Sequence, residues 1–115
     1  LEDRAHVPAG DLAHGEQRQL EIAIALATRP RMLLLDEPTA GMGGEDTERM
    51  IALLDSLRGP YTILLIEHDM DAVFTLADRI TVLVYGRAIA SGTPEKIRAD
   101  DNVRQAYLGD DAVAP

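Results

Sequence analysis

The stretch MLLLDEP, from Met32 to Pro38, decides the fold class, because an apolar run leads directly into two carboxylates. A short continuous apolar run of this kind is typical of a buried strand in a parallel sheet. α/β folds bind ligands at the carboxyl edge of such strands, so Asp36 and Glu37 are expected to face one site. A carboxylate suits Mg²⁺, and a second one can act as a general base on water. This stretch alone does not separate such a site from a chance pairing of acids.

Helices and apolar strands alternate along the rest of the chain. The predicted helices are 16–28, 45–57, 70–77, 93–98 and 102–107, and the predicted strands are 32–35, 61–66, 80–85 and 88–90. The first helix should be mostly buried and should stop before Pro30, because the residue preceding a proline disfavours helical dihedrals. The order predicts an α/β fold with a mostly parallel sheet flanked by helices. A small antiparallel hairpin turning at Gly86-Arg87 and terminal helices stopping at Gly109 are expected to follow.

Composition limits the classes of partner. The 115 residues make one domain or a piece of one, and 20 acidic against 11 basic residues give a net charge of −9. This charge argues against nucleic acid or an anionic membrane surface as a direct partner. The chain has no cysteine, which excludes a disulfide framework or a cysteine-ligated metal. No apolar run approaches the roughly 20 residues of a membrane span, so a soluble chain without membrane insertion is expected.

Two further segments carry possible chemistry. Residues 12–17, Leu-Ala-His-Gly-Glu-Gln, form a small-residue loop that opens onto a helix. Free backbone N–H groups and the helix dipole at such a place bind phosphate, although an ordinary helix start with a glycine has the same pattern. His68 follows the second strand between Glu67 and Asp69. A single histidine there is most often structural or merely exposed, so each segment alone leaves its role open.

The order of these segments resembles that of the nucleotide-binding subunit of ABC transporters, and the resemblance covers essentially the whole chain. Residues 12–17 stand where that family has its signature motif, usually Leu-Ser-Gly-Gly-Gln. The strand ending in Asp36 and Glu37 looks like Walker B, Ala40–Gly43 takes the place of the D-loop, and His68 that of the switch histidine. The local sequence is most similar to that of importers of branched-chain amino acids and related amides in residues 17–23, 37–42, 66–70, 92–97 and 106–109.

The resemblance implies a mechanism in which two subunits enclose two ATP molecules head to tail. Asp36 would help to hold Mg²⁺ through water, Glu37 would polarise the attacking water, and His68 would contact the γ-phosphate. The resemblance further implies a second ATPase subunit (the same or a different chain), transmembrane permease subunits, and a cytoplasmic location at the inner membrane face. The residues implied to meet the γ-phosphate of ATP on the opposite subunit, or to lie in the D-loop beside it, are Ala13, His14, Gly15, Glu16, Gln17 and Gly43.

The chain departs from the family pattern in several places. It contains no Gly-x-x-x-x-Gly-Lys-Ser/Thr phosphate loop, and its single lysine is Lys96. Residues 1–115 are therefore expected to be the C-terminal part of an ATPase domain that is inactive alone. Ala13 stands where serine is usual, His14 where glycine is common, and Gly43 where the D-loop often has Asp or Asn. Two alternatives remain: a soluble ABC ATPase of repair or translation, and a non-catalytic module that uses the fold to dimerise.

Overall fold

The structure, a computed structural model, describes residues 1–108. It forms two compact units, Leu1–Asp69 and the part that begins at Met70. The helices are α1 (His14–Ala27), α2 (Gly44–Leu57), α3 (Met70–Leu76), α4 (Pro94–Ala99) and α5 (Asp101–Val103), and the strands are β1 (Met32–Asp36), β2 (Thr62–Ile66), β3 (Ile80–Val84) and β4 (Arg87–Gly92). The α/β class and the order of elements are confirmed. The strands form one parallel pair and one antiparallel pair, each a two-stranded sheet.

The first unit is built on the parallel pair of β1 and β2. Their register runs from Met32 opposite Thr62 to Asp36 opposite Ile66. The predicted loop before α1 contains two short 3-10 turns, Glu2–Arg4 and Ala9–Asp11. Because parallel strands in register end at the same sheet edge, the residues that follow β1 and β2 are brought together.

Helix α1 ends where the proline argument places its end. Thr28 is the last residue near helical dihedrals, and Arg29 takes a left-handed φ of 54° directly before Pro30. A left-handed residue just past a helix end satisfies orphan carbonyls, a place where glycine is usual. The chain thus turns from α1 towards β1 within a few residues.

The prediction of a mostly buried first helix and buried strands is wrong on one face of each element. Within α1 only Gly15 and Ile22 are buried, and Ile24 is 61% exposed. Side chains of a strand alternate between the two sheet faces, and among the described residues only one face of the β1–β2 pair is covered. The exposed apolar side chains on the other face, called here the open face, are Met32, Leu34, Leu64 and Ile66.

The second unit is built on the antiparallel pair of β3 and β4. The turn consists of Tyr85 and Gly86, with φ of 49° and 77°, so the predicted Gly86-Arg87 turn is wrong by one residue. Two successive positive φ angles define the tight turn whose twist matches that of antiparallel strands. The ladder is irregular between Val82 and Leu83, which accommodates the extra residue of β4.

Helix α4 closes the core of the second unit. The hydroxyl of Thr93 accepts a hydrogen bond from the Lys96 N–H at 3.3 Å and caps the helix, as the sequence predicts. The predicted final helix is instead α5 followed by π-helical turns over Arg104–Leu108, and its predicted stop at Gly109 lies outside the described residues. The buried side chains of this core cluster are Ile80, Val82, Ile97 and Val103.

Candidate functional site

Glu37 and His68 meet at the carboxyl edge of the β1–β2 sheet. The Glu37 N–H donates to the Ile66 carbonyl at 2.7 Å, which continues the ladder one residue beyond β1. Beyond this point the His68 Nδ1 lies 2.7 Å from the Glu37 Oε1. Because Nδ1 is held by the carboxylate, Nε2 is the ring nitrogen that remains for another group. The His68 side chain is 71% exposed, so this nitrogen is open to a ligand.

The backbone at Glu37 is strained. Its φ of 47° lies in the left-handed region, which costs a non-glycine residue about 1–3 kcal/mol and persists only where the surroundings hold it. The conformation turns the chain out of the strand immediately after Asp36. As a result the carboxylate of Glu37 reaches the loop that follows β2.

Asp36 is the last residue of β1 and is exposed. Residues 1–108 contain no group of three or more His, Cys, Asp or Glu side chains that would hold a metal ion by themselves. An exposed carboxylate at a strand end is one oxygen ligand of the kind that Mg²⁺ takes beside water and substrate phosphates. Asp36 could supply the protein oxygen for such an ion.

Glu67 also belongs to this site, although the sequence alone marks it only as a neighbour of His68. Its side chain is only 1% exposed, and it receives hydrogen bonds from the Thr39 hydroxyl at 2.8 Å and from the His68 N–H at 3.1 Å. One signal could have identified it: an acid placed directly at the end of an apolar strand must find donors, because a buried carboxylate without them is costly. Thr39, two residues beyond Glu37, is a natural donor.

Two of the predicted site residues, Glu16 and Gln17, form hydrogen bonds with the backbone just before α1. The Glu16 carboxylate accepts from the Ala13 N–H at 3.1 Å and caps the helix, while Arg4 lies 3.1 Å from its second oxygen. The Gln17 side-chain amide donates to the Ala9 carbonyl at 3.2 Å. Ala13 has no hydroxyl, so its side chain cannot accept a hydrogen bond from the backbone N–H groups at the start of α1.

His14, Gly15 and Gly43 differ in how the structure uses them. The His14 Nε2 lies 3.2 Å from the Ala40 carbonyl, which links the start of α1 to the loop after β1. Gly15 is buried, and a Cβ there would lie 2.9 Å from the Asp46 carboxyl carbon, so any side chain would force Asp46 away. Gly43 precedes α2 with open space around it and an ordinary φ of −74°. The predicted residues therefore form two groups, one around Glu37 and one around His14 and Gly15.

Comparison with known proteins places this geometry in a family. Residues 1–40 match the sequence profile described as ABC transporter, and residues 89–113 match the one described as branched-chain amino acid ATP-binding cassette transporter. The chain is 48% identical over 112 residues to the high-affinity branched-chain amino acid transport ATP-binding protein BraF of Pseudomonas aeruginosa. The chain belongs to the ABC transporter ATP-binding family.

Other family members agree with this placement. The branched-chain amino acid transport ATP-binding protein LivG of Escherichia coli is 46% identical over 112 residues. The solved structure of MJ1267, an ATP-binding cassette of an ABC transporter, superposes with a TM-score of 0.81 at 31% identity and covers 95% of this chain. The chain covers 45% of MJ1267. It covers 44% of BraF and of LivG, and 96% of its own length aligns with each of them. It therefore spans less than half the length of the curated relatives it matches.

Proposed function

We propose that residues 1–115 are the C-terminal part of a longer ATP-binding subunit that hydrolyses ATP to drive an ABC importer. The observation that carries this proposal is the 2.7 Å contact between Glu37 and His68 at the carboxyl edge of a parallel strand pair. Transfer of a phosphoryl group to water depends mainly on positioning and on charge stabilisation. A carboxylate and a histidine held in contact at such an edge can provide both.

In this proposal each group has one task. Asp36 would help to hold Mg²⁺ through water, and such an ion would supply positive charge beside the phosphates. Glu37 accepts a hydrogen bond from the attacking water and orients it, while His68 Nε2 donates to the γ-phosphate. The loop at the start of α1, over Ala13–Gln17, meets the γ-phosphate of ATP held by the opposite subunit. Gly43 lies in the loop that would face that subunit.

The names of the relatives support a proposal for the transported substrate and the partners. BraF and LivG are named for high-affinity transport of branched-chain amino acids, which supports amino acids of this kind, or related amides, as the cargo. The partners are then a second ATPase subunit, identical or different, and transmembrane permease subunits, with this chain at the cytoplasmic face of the membrane. None of the helices described in residues 1–108 has the length and apolar content that crossing a bilayer requires.

The decisive experiment replaces Glu37 in the complete subunit. Glu37→Gln keeps the shape of the side chain but removes the group that orients water, so ATP hydrolysis should fall by about 100-fold or more. ATP binding should persist and trap a dimer, which size-exclusion chromatography with ATP would detect. Glu45→Gln is the matched control, because Glu45 is 79% exposed and pairs with Arg49 on the surface of α2. Hydrolysis near the wild-type rate in Glu37→Gln would contradict the proposal.

A second experiment tests the dependence on the rest of the subunit. The 115-residue chain lacks the phosphate loop and its lysine, which make the strongest charge-assisted contacts to ATP in P-loop enzymes. The chain alone is therefore expected to hydrolyse no ATP in a phosphate-release assay. Magnesium-dependent hydrolysis by the chain that Glu37→Gln abolishes would show that these residues suffice.

A further inference from the structure

Glu67 differs from the neighbouring site residues because its carboxylate is buried. Its side chain is 1% exposed, whereas that of the adjacent His68 is 71% exposed. Because its carboxylate is screened from solvent, Glu67 does not touch a nucleotide. Burying a charged group without partners is strongly unfavourable, so the donors around this carboxylate define what it does.

The donors come from two loops and divide between the two oxygens. Oε2 accepts from the hydroxyl and the N–H of Thr39, at 2.8 and 3.3 Å. Oε1 accepts from the N–H groups of His68 and Asp69, at 3.1 and 3.4 Å. Thr39 is itself buried, with 8% exposure. The carboxylate therefore bridges the loop after β1, which begins at Glu37, and the loop after β2, which contains His68.

This bridge lies beside the contact between Glu37 and His68. Glu37 has a left-handed backbone that requires support from its surroundings, and Thr39 is two residues away on the same loop. We propose that Glu67 is a positioning residue for ATP hydrolysis, holding both loops so that the Glu37 carboxylate and the His68 ring remain in contact. The inference rests on the proposed function, since it concerns the geometry of the groups that act on ATP.

The first test is Glu67→Gln in the complete subunit. Glutamine has the same size, but its single carbonyl oxygen can serve only one of the two loops, and its amide faces donors. Because a misplacement of about 1 Å can cost on the order of 100-fold in rate, we expect kcat to fall by about 10- to 100-fold. KM for ATP should change by less than about threefold, since Glu67 lies away from the nucleotide-binding groups.

The partner residue supplies a matched pair of variants. Thr39→Val removes a hydroxyl that donates to a carboxylate and should lower kcat by about tenfold, near the lower end of what a hydrogen bond to a charged group contributes. Thr39→Ser keeps the hydroxyl and should restore most of that loss. If Glu67→Gln fails to fold, this pair tests the same bridge. Equal kcat values for Thr39→Val and Thr39→Ser would overturn the assignment.

A double-mutant cycle separates positioning from general stabilisation. If Glu67 acts through the pair of Glu37 and His68, Glu67→Gln should lower kcat by less than about threefold in a His68→Ala background. The same factor in both backgrounds, or wild-type kcat in the single variant, would overturn the inference. Glu37→Gln, measured in parallel, keeps the two proposals apart. Hydrolysis in Glu37→Gln contradicts the proposed function, whereas an inactive Glu37→Gln beside a normal Glu67→Gln contradicts only the role of Glu67.

Discussion

The two units of the chain bury their apolar residues to different extents. In the second unit, Ile80, Val82, Ile97 and Val103 are at most 9% exposed and form one cluster. In the first unit, Leu34 of the open face is 69% exposed and its neighbours on that face are more than half exposed. An apolar sheet face of this kind ordinarily packs against another layer. The second unit thus completes a core from its own residues, whereas the first unit presents a surface suited to a further layer.

The units also differ in the chemistry they carry. Every residue assigned to the candidate site lies between Ala13 and His68, in the first unit. The second unit contributes a hairpin and helices around an apolar cluster, and its polar contacts include the Tyr107 hydroxyl donating to the Leu83 carbonyl and the Arg98 guanidinium 4.4 Å from the centre of the Phe74 ring. Chemistry and an incomplete core therefore occur in the same unit. If the proposed longer subunit is correct, its other part should both cover the open face and complete the site.

The largest effect on stability is expected from a pair of Ile→Ala substitutions, one in each unit, which tests the difference in burial. Ile97→Ala removes a side chain that is 3% exposed within the cluster of the second unit, and it should lower the free energy of unfolding by about 2–5 kcal/mol. Ile24→Ala makes the same change on α1, where the side chain is 61% exposed, and should cost less than about 1 kcal/mol. Urea denaturation of the 115-residue chain measures both. Similar losses would remove the distinction between the units.

The next effect concerns activity and tests whether the chemistry is confined to the first unit. His68→Ala in the complete subunit removes the ring held by Glu37 and should reduce turnover by at least about 100-fold, the scale of one lost transition-state contact. Tyr107→Phe in the second unit removes a hydroxyl that donates to the Leu83 carbonyl, and should leave turnover within about twofold. ATPase rates at saturating ATP measure both. Near-normal turnover in His68→Ala would contradict its assigned role.

Sequence reasoning predicts the elements of this chain well because each is marked by local chemistry. The apolar run before Asp36 marks β1, Pro30 marks the end of α1, and Thr93 marks the cap of α4. Helix and strand bounds before the last helix accordingly agree within about two residues. The predicted turn lies one residue too late, because tyrosine rarely adopts a positive φ and the pattern therefore favours Gly86 as the first turn residue.

Burial and hydrogen bonding were less predictable because both depend on distant residues. An all-apolar strand predicts two covered faces, but the described residues cover only one face of the β1–β2 pair. The capping of α1 by Glu16 follows a known local pattern and was available from sequence. The bridge from Glu67 to Thr39 spans 28 positions. The sequence indicates that a buried Glu67 needs donors, but which donors it finds depends on the pairing of β1 with β2. The roles of the site residues stay predictions.

A smaller effect probes the departure from the family pattern at Ala13. The N-cap of α1 has no side-chain hydrogen bond, so Ala13→Ser would add a hydroxyl where the resembled signature motif has one. In the complete subunit it should strengthen ATP-dependent dimerisation, or raise turnover, by the equivalent of about 0.5–1.5 kcal/mol. It should also stabilise α1, because serine is a favoured N-cap residue. Ala27→Ser at the other end of α1 is the control, and equal effects of both would mean that the signature position has no special role.

The smallest expected effect is the sharpest test of the open face. Leu34 is 69% exposed and Leu33, its neighbour on β1, is 3% exposed. In the 115-residue chain Leu34→Thr should change the free energy of unfolding by no more than about 0.5 kcal/mol, as surface substitutions do. Leu33→Thr should cost several times more, because it places a hydroxyl among buried apolar atoms. In the complete subunit the two substitutions should become similar, since a further layer over the open face would bury Leu34 as well. A large loss for Leu34→Thr in the 115-residue chain would contradict the exposure of that face. A negligible loss in both proteins would mean that nothing in the complete subunit covers it.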